Sequence, residues 1–520
     1  MSAAAPDFQN YAEANLTALR GVRDREVFVH GERRITAGEF HDLTHRAARA
    51  LRALGIRRGQ GITLLSGNLP ETVAVRYAAA LLGCRTNHLY NKLAADVQAA
   101  IVRDVESTVL VVDPRLSGRA AELLQAQPVD TVLTLGPAEL GKDLLELAAD
   151  YSPEPLAGEA APDDIATIRH TGGTTGHPKG IYSTFRDVQS LYTTGLSDIF
   201  DEGEAARQLV CTTLAHAAGW RADTVLASAG TVVLMDDFDA GEVLAAIERE
   251  RITDIFLLPP LLYELLDHPD CPGTDTSSLR QLMYGGCQAS PARLADAVRR
   301  FGQVLMQGYG QNEVGGISVL RPEDHDLERP ELLRTAGTII PGTEVEIRDE
   351  SGRRVPTGEL GEIVVRTGHV MQGYWKQPEL TAEVLRDGWI HTGDIGRLDE
   401  DGYLTVVDRI KDMIVVVGGH VYTTELEDLL NSHPGVRQSV VFGVRDEDNM
   451  ERVHAVVVPD PEYRADGEGP VTADELREAV RAARGAMYVP AELGFTEQFP
   501  LTDVGKPDKK ALRALATGTA

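Results

Sequence analysis

Lysine is scarce in this 520-residue chain: Lys92, Lys142, Lys179, Lys376, Lys411, Lys506, Lys509 and Lys510 are all it has. Arginine carries most of the cationic surface, so a lysine inside a glycine-rich motif stands out, although codon bias in a GC-rich genome is the plain alternative. Positive charge as a whole is short, with Lys+Arg 51 against Asp+Glu 79 and a formal net charge of -28. That field repels nucleic acid and anionic membranes, so no nucleic-acid partner is expected, and any phosphate ligand must be met by local positive charge. Cysteine is rare too. Cys84, Cys211, Cys271 and Cys287 are far apart and form no C-x-x-C pair, so neither a zinc site nor a disulfide framework is indicated, and a reducing cytoplasm fits. No apolar run reaches the ~18 residues that span a bilayer. Met1 to Tyr11 lacks the basic segment and apolar core of a secretory signal, so the expectation is a soluble cytoplasmic protein with no membrane span.

What is present is an ordinary 43% of hydrophobic residues, in a chain too long for one core. From Ile35 to Gly55, Phe40, Leu43, Ala47, Ala50, Leu51 and Leu54 recur at helical spacing. A strand Gly61 to Leu65, a helix Glu71 to Leu82, a second helix to Val105 and strands Thr108 to Val112 and Thr131 to Leu135 follow, with Arg85 to Tyr90 unassigned and Pro153 to Pro162 read as a linker. Strands alternating with helices indicate βαβ units and parallel sheets. The alternation resumes with Ile165 to Ile168, a helix Asp187 to Leu196, strands Gln208 to Thr213, Thr231 to Met235 and Asp254 to Leu258, and Pro259-Pro260 as a strand stop.

The stretch that organises the chain is Thr171-Gly172-Gly173-Thr174-Thr175-Gly176-His177-Pro178-Lys179-Gly180. Its glycines let backbone N–H groups turn inward around an anion, its threonines add hydroxyl donors and Lys179 supplies a point charge. It is not a Walker loop, because Pro178 interrupts and Gly180 follows the lysine. A flexible surface loop is the bland reading. Two further glycine-rich turns are expected at the ends of strands, Tyr284-Gly285-Gly286-Cys287 and Gln307-Gly308-Tyr309-Gly310-Gln311-Asn312-Glu313, and ligands in α/β sheets sit at such ends. From about 337 to 407 the texture changes to short strands and turns, including His391-Thr392-Gly393-Asp394. A charged stretch opens at Asp408, and a small α+β unit ends with Asp503-Val504-Gly505-Lys506. The expected fold class is α/β, with doubly wound βα subdomains and a β-rich subdomain in residues 1–407 and a small α+β domain in 408–520.

In order and spacing these stretches resemble the adenylate-forming superfamily of acyl-CoA synthetases, luciferases and peptide-synthetase adenylation domains, from about Ile35 to Leu512. The resemblance implies ATP, Mg²⁺ and CoA as ligands, together with a carboxylic acid as small-molecule substrate. The acid attacks the ATP α-phosphate to give an acyl-adenylate, and a thiol then displaces AMP. It also implies roles. Thr171, Gly172, Gly173, Thr174, Thr175, Gly176 and Lys179 hold the β- and γ-phosphates, and Glu313 binds Mg²⁺. Tyr309 stacks on adenine, with Gly285, Gly286, Cys287, Gly310 and Asn312 around the nucleotide. Asp394 takes the ribose hydroxyls, assisted by Arg409, and Lys506 bridges carboxylate and α-phosphate. Asp408 is the hinge of a swivelling domain, and Gly418 and Gly419 line the CoA channel. His216 joins Lys506 and Glu313 as a candidate catalytic residue. It also belongs to the acyl pocket with Ala217, Gly219, Trp220, Tyr284, Gly285, Gly315 and Gly316. The small residues suggest a bulky or long apolar acid, with close packing as an equal alternative; Arg221 is a candidate for a second polar group on the acid.

The chain departs from the family pattern where Asn312 replaces a threonine, Gly172 replaces a serine, Arg169-His170 precede the loop, and Gly419-His420-Val421 stands for Gly-x-Asn-Val. These changes put the efficiency of adenylation in doubt. An enzyme specialised for thioesterification and fed by a partner adenylating enzyme therefore stays open. So do transfer to a carrier-protein thiol and, remotely, a silent nucleotide-binding regulator.

Overall fold

The computed structural model describes residues 8–171, 179–191, 206–416, 419–445, 450–464, 469–502 and 506–517. The expected phosphate-loop residues 172–178, Gly418 and the second half, 192–196, of the helix expected at Asp187 to Leu196 lie outside them. Two large sheets form the bulk of the chain. In one, among the described residues, nine strands run in the order Thr338–Ile339, Gly315–Leu320, Leu305–Gln311, Gln281–Gly285, Asp254–Leu257, Arg207–Val210, Thr231–Leu234, Glu26–His30 and Arg33–Thr36. Its interior pairs are parallel and both ends are closed by antiparallel partners. In the other, eight strands run from Gly373–Tyr374 through Lys179–Thr184, Ile165–Thr171, Arg85–His88 and Gly61–Leu65 to Lys142–Asp143. The unassigned stretch at Arg85 is thus a central strand.

The helix Ala37–Ala53 shows why the sequence folds as it does. Thr36 and Glu39 close a capping box at its start, and Phe40, Ala47, Ala50 and Leu51 are buried. Those apolar positions meet the helix Pro70–Leu81, so both sheets share one core with Phe28, Phe40 and Tyr77 at its centre.

Pro259 and Pro260 follow the end of the strand Asp254–Leu257, as expected, and also open the helix Pro259–Asp267, because the first helical turn needs no backbone donor. One local expectation is corrected. The stretch Gln307 to Gln311 is strand, not turn: it pairs from Gln307 to Gln311 with Gly315–Leu320, with one irregularity between Tyr309 and Gly310. Its glycines serve close approach of backbones. A Cβ on Gly285 would stand 2.4 Å from the Gly308 carbonyl oxygen, and one on Gly310 would stand 2.2 Å from that of Gly315.

Thr343–Arg348, Gly361–Thr367, Leu385–Arg386, Trp389–Leu398 and Leu404–Arg409 make a five-stranded antiparallel sheet. Beyond it, Val436–Arg445, Glu451–Pro459 and Glu492–Phe495 form a three-stranded sheet. Alternation along Val436–Arg445 gives it two apolar faces. Val441 packs with Leu426, Leu430 and Val480 from the helices Thr423–Asn431 and Ala473–Arg484, while Val440 and Phe442 pack with Leu512 of the helix Lys509–Thr517. No helix among the described residues is long and apolar enough to cross a membrane. The four cysteines are free thiols.

Candidate active site

Antiparallel pairing places Arg409 opposite Asp394, and Tyr309 and Gln311 lie two residues apart on the strand Leu305–Gln311 of the nine-stranded sheet. These four side chains meet. The Tyr309 hydroxyl donates to Asp394 Oδ2 at 2.7 Å and Gln311 Nε2 donates to the same oxygen at 2.8 Å, while Arg409 Nε lies 3.2 Å from Oδ1. Asp394 is 3% exposed, so this acid is held by three donors rather than by water. Burial and the Asp394 charge hold the Tyr309 hydroxyl well above its ordinary range, which keeps it a donor. Gln311 was not singled out in the sequence. Its place two residues after Tyr309 on one strand face was the available signal.

Lys506 lies in the same cleft. A Cβ built on Gly286 would sit 3.7 Å from Lys506 Cε and 3.9 Å from Nζ, and the positive φ of +85° at Gly286 suits glycine. Burial lowers the Lys506 ammonium, with Arg409 adding repulsion and Asp394 opposing it. Thr502 tethers the lysine: its N–H donates to the Lys506 carbonyl at 2.7 Å, and the Lys506 N–H donates to Thr502 Oγ1 at 3.1 Å. Burial pushes the Cys287 thiol up to about 11, so it is a neutral neighbour of the ammonium. His216 precedes the helix Ala217–Ala227 and is pushed down to about 4, first by burial and then by the charges of Lys506 and Arg169. It is a neutral imidazole at pH 7. Arg169 also acts on Tyr90, whose ring centroid is 6.5 Å from that of His216. Its neighbour His170 is buried, with Nδ1 3.1 Å from Asn87 Nδ2.

Glu313 follows the strand that carries Tyr309. The Tyr374 hydroxyl donates to Glu313 Oε1 at 2.8 Å, and Lys179 Nζ sits over the Tyr374 ring, 5.3 Å from its centroid. Tyr374 was not singled out either; its only mark in the sequence is a Tyr-Trp pair after Gly373. Among the described residues no group of three or more His, Cys, Asp or Glu side chains is placed to hold a metal. A lone carboxylate that shares Tyr374 with a lysine fits Mg²⁺, which is usually held by one or two carboxylates together with substrate phosphates.

The acyl-pocket expectations divide. Trp220 packs with Met306, Val319 and Ile340, beside Leu191 and Met283, as an apolar group. Ala217 is half-buried, and Gly315, at φ +73°, has only Leu191 and His369 side chains near the position of a Cβ. Of the other glycines, a Cβ on Gly219 would stand 2.0 Å from the Leu214 carbonyl oxygen, so glycine there serves a close backbone approach, and one on Gly316 would stand 2.9 Å from the terminal Cδ1 of Ile340. Tyr284 is 0% exposed, with its hydroxyl 3.0 Å from His325 Nε2, so its side chain belongs to the core and not to a pocket wall. Arg221 is likewise committed. It is buried and donates to Asp254 Oδ1 at 2.7 Å and to Thr224 Oγ1 at 2.8 Å.

Asp408 ends up at a junction. Oδ2 accepts the Thr423 N–H at 2.5 Å, and Oδ1 accepts the Thr423 hydroxyl at 3.2 Å and the Arg409 N–H at 2.7 Å. Its carboxylate thereby caps the helix Thr423–Asn431, whose own N-cap residue Tyr422 supplies no side-chain bond. Burial pushes the Asp408 carboxyl up to about 6. Two ion pairs, Arg334–Asp428 at 3.2 Å and Arg437–Asp267 at 3.4 Å, also join this unit to the large sheets. Gly419 faces Met487, whose Sδ would be 3.1 Å from a Cβ there.

A carboxylate aimed at by hydroxyl, amide and guanidinium donors, beside a buried lysine delivered from a separate small unit, defines an enzyme that activates carboxylic acids as adenylates. Residues 16–375 match the family model described as AMP-binding enzyme, and residues 425–506 match the AMP-binding enzyme C-terminal domain. The chain belongs to this family, and it is an ATP-dependent, AMP-forming acid–thiol ligase. It is 37% identical to the medium/long-chain-fatty-acid–CoA ligase FadD8 of Mycobacterium tuberculosis over 96% of this chain and 88% of that protein. It is 36% identical to a feruloyl-CoA synthase of an Amycolatopsis species over 93% and 94%. Among solved structures, the amide bond synthetase McbA of Marinactinospora thermotolerans matches with a TM-score of 0.88 and 37% identity, over 97% of this chain and 99% of that one.

Proposed function

We propose that this protein is an acyl-CoA synthetase for a bulky or long, apolar carboxylic acid. The observation that carries the reading is the placement of the Lys506 ammonium against Gly286, in the cleft that holds Asp394 and His216. A carboxylate is a poor electrophile, so its oxygen must first attack the α-phosphorus of ATP, with pyrophosphate leaving. That step needs charge neutralised at the phosphate more than covalent help. Lys506 would neutralise it on the acid side, and Lys179 with residues 171–176 would do so on the β- and γ-phosphates. Asp394 and Arg409 would fix the ribose, and Tyr309 the base. Glu313 would hold Mg²⁺, which when bound neutralises phosphate charge. Neutral His216 would not compete with Lys506 for the carboxylate. Asp408 would be the hinge on which residues 408–520 turn, withdrawing Lys506 and bringing Gly418 and Gly419 to the thiol path. The apolar group around Trp220, Met283 and Met306 favours an apolar acid, and the relatives' fatty and feruloyl acids agree in kind. Incubation of an acid panel with ATP and CoA, read by thioester mass, tests this; products only from short polar acids would overturn it.

A second reading has a specific observation behind it, the match to an amide bond synthetase at the same identity as the nearest CoA ligase named above. Here the acceptor is an amine, or a carrier-protein thiol, in place of CoA. The adenylate offered CoA, a holo-carrier protein and simple amines in parallel separates these acceptors.

A further inference from the structure

Lys179 and Glu313 carry opposite charges at one site, yet no ion pair joins them. Tyr374 stands between. The Lys179 ammonium lies over the face of its ring and the Glu313 carboxylate takes its hydroxyl. The tyrosine is itself anchored: Tyr374 pairs with Ile181 across the antiparallel strands, its N–H donates to Thr381 Oγ1 at 2.9 Å, and it is 5% exposed. Glu313 is anchored too, since its carbonyl accepts the Met371 N–H at 2.8 Å from the same segment.

We propose that Tyr374 is a positioning residue that keeps Lys179 and Glu313 apart, holding the lysine for phosphate oxygens and one carboxylate oxygen for a divalent cation. The proposal rests on the reading of Lys179 as phosphate-binding and Glu313 as cation-binding. Its physical basis is a competition. A lysine and a glutamate in a half-buried cleft attract each other strongly, and a direct pair would have to be broken each time nucleotide and cation arrive. The aromatic face attracts the ammonium by its quadrupole, more weakly than a carboxylate does, so the lysine stays available. The hydroxyl donor occupies Glu313 Oε1 and leaves Oε2 as the oxygen not spent on Tyr374.

The two halves of the side chain can be removed separately. Tyr374→Phe keeps the ring under Lys179 and loses the donor to Glu313; Tyr374→Leu loses both. Binding of Mn²⁺ in the presence of ATP, followed by electron paramagnetic resonance, reads the cation site. Calorimetric titration with ATP and no divalent cation reads the lysine. Tyr374→Phe should weaken Mn²⁺ binding about 10-fold, the scale of one hydrogen bond to a charged group, and leave cation-free ATP binding unchanged. Tyr374→Leu should weaken both. The effect of Tyr374→Phe should vanish in a Glu313→Gln background, because the two changes act on one contact. If Tyr374→Phe binds Mn²⁺ as the unaltered enzyme does while Glu313→Gln loses it, Tyr374 only packs and the proposal is wrong. If Glu313→Gln itself leaves Mn²⁺ binding intact, the assignment of Glu313 fails and the proposal falls with it.

Discussion

The Lys506 ammonium rests against Gly286, 3.9 Å from where a β-carbon would be, although 220 positions separate the two in sequence. Lys506 of the small domain therefore sits at the end of the strand Gln281–Gly285, where its proposed role in acid activation would put it. Lys506→Ala should abolish acid-dependent ATP–pyrophosphate exchange and leave CoA attack on a supplied acyl-adenylate largely intact, since the charge is needed only while the phosphate is attacked. Measuring both half-reactions on the folded variant checks this. Equal loss of the two would break the assignment of Lys506 to the first step.

Asp408 shows where the structure adds to the expected hinge. A proline there fixes φ near -65° and, from the sequence alone, should trap the adenylating pose. But the Asp408 carboxylate also caps the helix Thr423–Asn431, so Asp408→Pro removes a cap as well as a torsion. Asp408→Ala isolates the cap and should cost about 1–2 kcal/mol of small-domain stability, seen in the melting curve. Relative to Asp408→Ala, Asp408→Pro should suppress thioester formation and spare pyrophosphate exchange. A further loss shared equally by the two steps would move the hinge elsewhere.

His41 and His45 stack edge to face at 4.4 Å on the helix Ala37–Ala53, and His45 Nδ1 accepts the Leu156 N–H at 3.2 Å. Burial lowers both, His45 to about 4, with His41 and Arg49 adding to it. The unfolded chain binds protons at these sites from pH 6.5 downward and the folded chain resists, so stability falls as pH drops from 6.5 towards 4. Asp408 and Asp428, held up at about 6 and about 7 by burial, have the opposite sign: the stability they contribute is lost as pH rises through those values. A His45→Gln variant keeps an acceptor for Leu156 and removes one titration. Its melting temperature should fall less between pH 7 and pH 4.5 than that of the unaltered protein; identical slopes would exclude His45 as a cause.

The strand–helix alternation was legible because burial imposes its period on each element, as at Phe40, Ala47 and Leu51, and the order of the glycine-rich motifs carried the family. Less legible were residues whose roles depend on contacts between elements distant in sequence. Tyr374 meets Glu313 only because a two-residue strand joins the edge of the eight-stranded sheet. Tyr284 and Arg221 looked like pocket residues by position, yet strand alternation and the buried Asp254 turn them into the core. Glycine was the most ambiguous letter: Gly219 and Gly285 sit against backbone carbonyls, and composition does not separate such close approach from open space.

Asn312 lies between Gln311, which is spent on Asp394, and Glu313, which is held by Tyr374. At this position the family pattern has a threonine hydroxyl directed at the α-phosphate, and at Gly172 a serine. A preorganised donor aimed at charge that grows in a phosphoryl-transfer transition state is worth about 100- to 1,000-fold in rate. A longer amide displaces that donor, and the missing hydroxyl at Gly172 compounds the loss. Thioester formation expels AMP from an already activated anhydride and depends far less on the β- and γ-phosphate loop. The protein should therefore convert supplied acyl-adenylate plus CoA to thioester faster than it converts acid plus ATP plus CoA, and Asn312→Thr with Gly172→Ser should raise the first step selectively. Pyrophosphate exchange and adenylate-to-thioester conversion, measured on the same preparations, decide it. Vigorous exchange by the unaltered protein, unimproved by the double substitution, would make it an ordinary two-step ligase in which the Asn312 amide serves as well as a hydroxyl.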